Sequence, residues 1–187
     1  AQADILPGWQ ADDPNSTQTI DHRLWQSFLD SFLKKDDFGQ TYFAYSKVSR
    51  ADRGKLNSYI RSLEVIDPLT LNPNEQKAYW FNLYNSVTVK VILEAYPVAS
   101  IREIGGSFGG LIPTGPWKLK VVTVNGQKLS LDDIEHRIVR PKFQDHRVHY
   151  ALNCAAMGCP NLAETAYTGS NIEQLLQIAE RTFVNHQ

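Results

Sequence analysis

The sequence predicts an α+β fold: several helices packed around a small, largely antiparallel sheet, forming a single compact domain. Three observations carry that expectation. Apolar residues recur at helical spacing near both ends of the chain, an Asn125-Gly126 pair interrupts an alternating segment, and a long apolar run contains Asn82, Asn85 and Lys90, which a membrane span would exclude. With 187 residues, 42% of them hydrophobic and 21% charged, and no shift in composition along the chain, there is material for one core.

The elements follow in chain order. Residues 1–20 are polar and without period, an extended lead-in to a globular domain over 21–187. Leu24, Trp25, Phe28, Leu29, Phe32 and Leu33 follow the spacing of an amphipathic helix, and Leu56, Tyr59, Ile60 and Leu63 repeat it. Asn72-Pro73-Asn74-Glu75 is a helix start, and the run it opens ends before Pro97. That run is apolar almost all round, which predicts a central, buried helix, although Val87 to Ile92 is rich enough in β-branched residues to suit a strand. The alternation from Lys118 to Val124 turns at Asn125-Gly126 and returns through Leu129, a hairpin. Ser130 and Asp133 bracket a helix start, Ile134 and Ile138 give it a buried face, and Pro141 should stop it. Val148, Tyr150 and Leu152 then alternate with His149, Ala151 and Asn153, a strand over 147–153. A last helix carries Leu175, Leu176, Ala179 and Phe183.

A net charge of −1 and the lack of a basic patch interleaved with aromatics argue against nucleic acid as a partner, which leaves a small molecule or peptide. The opening Ala1-Gln2-Ala3-Asp4 is like the small-residue region around a signal-peptidase cut, so a periplasmic or secreted protein is expected. The glycine-rich stretch Gly105 to Gly110 lacks the Lys and Ser/Thr of a nucleotide loop, and no cofactor is predicted.

Chemistry concentrates between His149 and Pro160, where both cysteines stand. Cys154 and Cys159 can form a small disulfide fixing loop shape, or Cys154 can be a nucleophile with a histidine lowering its thiol pKa. Both cannot hold in one oxidation state. His136 follows Glu135, and a carboxylate can orient an imidazole, although adjacent residues on a helix do not face each other and Asp132 and Arg140 lie four residues away. Asn82 and Asn85 share a helix face, where buried amides either bond a neighbouring loop or line a pocket. Cys154, Cys159, His149 and His136 have no metal-motif spacing, so no metal is predicted.

Taken in order, Tyr79-Trp80-Phe81-Asn82-Leu83-Tyr84-Asn85, Ser100-Ile101, Pro116-Trp117, Ser130-Leu131-Asp132-Asp133-Ile134-Glu135-His136, and His149 to Cys154 with Cys159-Pro160 form a distinctive set. The chain resembles the domain-of-unknown-function 547 family from about residue 22 onward. The resemblance implies a shared fold and polar centre without an established reaction, and its bacterial members are commonly exported. Asn82, Asn85, Glu135, His136, Arg140, His149, Cys154 and Cys159 match motif positions, while Ala156 stands where similar proteins commonly carry Ser. The plant relatives' leucine-zipper region has no counterpart here.

The resulting expectation is a Cys/His hydrolase or acyl transferase acting on an amide. Cys154 attacks, His136 is the base and Glu135 orients or binds, with Asn82, Asn85, Arg140, His149 and Asn153 around the substrate. The alternative is a binding module with a structural disulfide, without turnover.

Overall fold

The computed structural model describes residues 4–39, 41–95, 115–152 and 162–185. Its centre is α3, Pro73–Ala95, whose residues 78 to 89 are all buried. The Asn72 carboxamide accepts the Glu75 N–H at 2.9 Å and so caps the first turn, as the Asn-Pro-Asn-Glu signal predicts. Helix geometry runs through Val87 to Ile92, because the flanking turns give those residues helical hydrogen-bond partners on both sides.

Of the two earlier helices, the second packs on α3 and the first packs on the second. In α1, Arg23–Phe32, Trp25, Phe28, Leu29 and Phe32 are buried, while Leu24 is half exposed. Helix α2, Arg50–Glu64, starts at a Ser49–Asp52 capping box and buries Leu56, Tyr59, Ile60 and Leu63, the four residues its spacing selects.

The antiparallel content is two separate hairpins. Strands β1, Leu33–Lys35, and β2, Thr41–Phe43, form the first, which carries no alternation long enough to be read in the sequence. Strands β3, Val122–Val124, and β4, Gln127–Leu129, form the expected one, with Asn125 (φ 51°) and Gly126 (φ 74°) in its turn. A carboxylate closes the open edge of β3, since Glu64 accepts the Thr123 N–H at 2.8 Å. Ahead of that hairpin lies the short helix α4, Gly115–Lys118.

Two expectations are corrected between residues 130 and 152. Ser130 and Asp133 do exchange the predicted capping bonds, at 2.9 and 3.0 Å. The helix that follows is a π-helix over Asp133–Val139, and it passes straight into α5, Arg140–Phe143, through Pro141. Pro141 has no N–H to offer the carbonyl four residues back, and that carbonyl, on Arg137, is taken instead by the Leu6 N–H at 2.9 Å. The segment read as a strand over 147–153 contains α6, Val148–Ala151. Val148, Ala151 and Leu152, all buried, also fit helical spacing, and Asp145 settles the choice by accepting the Arg147 N–H at 3.0 Å and starting a turn. The sheet therefore lacks a Val148 strand.

Residues 4–20 are extended but firmly docked. Trp9 is buried edge-on to Trp80, with ring centroids 5.5 Å apart, and its indole N–H donates to Gln127 at 2.9 Å. Lys142 donates to the Gln10 and Ala11 carbonyls and pairs with Asp12 at 3.2 Å.

The last helix, α7, Ile172–Asn185, buries Ile172 and Leu176. Ahead of it, Gly169 passes so close to Glu75 that a Cβ there would lie 2.5 Å from Oε1 and 2.9 Å from Cγ. Glu75 is itself buried, with Oε2 unpaired among the described residues. Gly169→Ala is therefore expected to cost about 1–3 kcal/mol. A Tm lower by roughly 3–10 °C would register it, and an unchanged melting curve would contradict the close contact.

Candidate active site

Neighbouring residues of α3 organise the polar centre. Tyr84 and Asn85 are both buried in a run of apolar side chains, and each sends its polar group to a different element. The Tyr84 hydroxyl donates to Glu135 Oε1 at 3.0 Å. The Asn85 amide donates to the Ala151 carbonyl at 2.9 Å, tying α3 to the end of α6.

Glu135 sits on the π-helix, where the Arg140 N–H reaches back five residues to the Glu135 carbonyl. Its carboxylate is clamped from both ends. Opposite Tyr84, Arg140 donates to Oε2 through Nε at 3.0 Å and Nη2 at 2.8 Å, a forked charge-assisted pair. Burial, then the negative charge of Glu135, holds the Tyr84 hydroxyl well above the ordinary phenol range, so it remains a donor. Burial also raises the Asp132 carboxyl, against the opposing influence of His136.

His136 lies half exposed on the outer side of this clamp, its Nε2 3.9 Å from Glu135 Oε2. That distance allows charge attraction when the ring is protonated but is too long for a hydrogen bond. Glu135 thus orients Arg140 and Tyr84 by hydrogen bonds and acts on His136 through its field. His149 is exposed on α6, with its ring 5.5 Å from that of Tyr150.

Asn82 has a different task. Its amide donates to the Tyr167 carbonyl at 2.7 Å and its oxygen accepts the Tyr167 N–H at 3.1 Å, so it pairs with that residue as a strand neighbour would. Asn153, Cys154, Cys159, Ala156 and the Gly105–Gly110 stretch lie outside the described residues.

The sequence reading did not single out Tyr84, although a phenol within an all-apolar run signals a buried hydroxyl in need of a partner. It also passed over a second cluster. Asp145 accepts from Lys77 at 2.9 Å and from Arg147 at 2.8 Å, while Arg147 also reaches Glu173 at 2.7 Å. The Arg147 hydrogen bonds, followed by that of Lys77, hold the Asp145 carboxyl far below the usual range against a desolvation cost. This cluster joins α3, the turn before α6 and α7, and sequence offers no signal for pairs so widely separated. Among the described residues, no three His, Cys, Asp or Glu side chains converge as a metal site.

The profile of a family described as "Protein of unknown function, DUF547" matches residues 68–184, more than half of the chain. The chain belongs to the DUF547 family. The matched span contains all of α3, the β3–β4 hairpin, the π-helix and the Glu135 clamp, so the polar centre is part of the DUF547 unit. Helices α1 and α2 precede the match, yet α2 packs on α3 and α1 on α2. No curated protein and no solved structure matches this DUF547 chain. Among the described residues no helix is long and apolar enough to cross a membrane.

Proposed function

We propose that this DUF547 domain is a cysteine-dependent hydrolase or acyl transferase acting on an amide, with Cys154 as nucleophile and His136 as base. One observation carries the reading: adjacent residues of α3 hold the Glu135–His136 turn through Tyr84 and the Ala151 carbonyl through Asn85. Only three peptide units, at most about 11 Å of chain, separate Ala151 from Cys154. A π-helix carrying a polar pair gives further support, since such turns are frequent at functional sites.

In this mechanism the Cys154 sulfur attacks the amide carbonyl as its proton passes to His136. His136 then protonates the departing amine, leaving a thioester. Water or an acceptor amine attacks the thioester, releases the acyl group and restores the thiol. Glu135, fixed by Arg140 and Tyr84, stabilises the imidazolium from 3.9 Å. Asn82 serves the scaffold through Tyr167, and Asn85 positions the chain ahead of Cys154. Substrate contacts fall to Asn153, His149 and the Arg140 N–H groups beyond those on Glu135. Export to an oxidising compartment would make the Cys154–Cys159 bridge the competing state.

Alkylation of Cys154 in reduced protein, followed against pH, tests the mechanism. The thiol is expected to titrate below about 8.5, and His136→Ala to slow alkylation at neutral pH by about tenfold with Tm little changed, because His136 is half exposed. A thiol titrating near 8.5, or a rate indifferent to His136, would overturn the cysteine-enzyme reading. A bridged Cys154–Cys159 pair that resists mild reduction would favour the binding module.

A further inference from the structure

Away from the Glu135 clamp, α2 and α3 border a cavity of about 390 Å³ that opens to solvent past exposed Arg50, Gly54 and Glu94, a volume within the range small ligands occupy. Its charged lining is Arg50 and Arg53 from the beginning of α2, with Lys90 and Glu94 from the end of α3. Buried Leu56 and Leu93 give it an apolar wall. Cationic groups dominate. Lys90 and Glu94 lie 3.9 Å apart, whereas no carboxylate among the described residues stands at ion-pair distance from Arg50 or Arg53. The Arg53 guanidinium is fixed at the cavity wall by donating to the Leu93 carbonyl at 3.0 Å.

Gly54 supplies a second, independent observation. It lies inside α2 and lines the cavity, and a Cβ built there meets nothing within 4 Å. Glycine within a helix is destabilising relative to alanine, and here neither a left-handed backbone nor a close neighbour requires it. What its missing side chain does provide is room in the cavity.

We propose that this cavity binds a small organic anion. Arg50, Arg53 and Lys90 hold a phosphate or carboxylate head, and an apolar body rests against Leu56 and Leu93. None of these residues belongs to the proposed cysteine centre, so the two ideas stand or fall separately.

Thermal shift and titration calorimetry on the full chain, with phenyl phosphate, benzoate and neutral benzyl alcohol as probes, decide the matter. At least one anion is expected to raise Tm saturably while benzyl alcohol does not, and the anion that responds identifies the head group. Arg50→Ala removes a cation and Gly54→Leu fills the space. Each should weaken binding by about tenfold or more, with the unliganded Tm of Gly54→Leu equal to or above that of the parent. The proposal is overturned if neither anion binds, if benzyl alcohol binds as well as the anions, or if both variants bind like the parent.

Discussion

Replacing Asn82 with alanine is expected to destabilise the fold by about 2–5 kcal/mol, because it strands two buried backbone groups at once. The Tyr167 N–H and carbonyl both pair with the Asn82 amide, and the Tyr167 ring is buried edge-on to Phe81 at 5.3 Å. Neither backbone group can turn to water without lifting the segment off α3. For a chain of this length the loss corresponds to a fall in Tm of roughly 10 °C. Asn82→Asp retains the acceptor but turns an oxygen toward the Tyr167 carbonyl, so it should rescue little. A Tm within a degree or two of the parent for Asn82→Ala would show that Asn82 is not the clamp its geometry describes.

Acidification should weaken the protein through His22. This imidazole is buried, shares a 2.7 Å hydrogen bond with the Tyr59 hydroxyl through Nδ1, and leaves Nε2 unpaired among the described residues. Burial depresses its pKa from 6.5 to about 4, with only Asp21 opposing. The unfolded chain therefore binds this proton first as pH falls. The contribution of His22 is whole above pH 6.5 and is lost progressively toward pH 4, by about 3 kcal/mol in all. Buried Glu75 runs the other way, since its carboxyl is raised and folding gains as it protonates. Asp145, held far below the usual range, loses its contribution only at more acidic pH. Comparison with His22→Gln isolates the histidine. Denaturation curves from pH 7 to pH 4 should fall less steeply for the variant, and parallel curves would exclude His22 as the source.

Local signals proved readable where one period or one capping pair decides the outcome. Leu56, Tyr59, Ile60 and Leu63 admit only a helix, Asn72 has its donor three residues on, and Asn125-Gly126 suits the turn it makes. The failures lie where a distant or neighbouring group breaks a tie. Val148 and Leu152 satisfy both the strand and helix periods, and an Asp145 side chain outside the pattern chooses between them. Pro141 predicts a stop, yet the N-terminal segment satisfies the carbonyl it leaves open. The candidate site follows the same rule. Glu135 and His136 stand out as a polar pair, but the carboxylate's partner Tyr84 is 51 residues away, so the clamp exists only in the fold.

The docking of residues 4–12 also constrains the order of folding. Several of their partners lie far downstream, the Trp9–Gln127 and Asp4–Arg137 hydrogen bonds spanning 118 and 133 residues. Closing loops of that length has an entropic cost that local helices do not bear. Contacts of high sequence separation are the slow ones in folding. A ribosome delivers this segment first, and although Trp80 and Gln76 of α3 touch it, its remaining partners exist only once the β3–β4 hairpin and the Pro141 turn have been made. The beginning of the chain thus acts as a late fastener, closing over a helical core assembled without it.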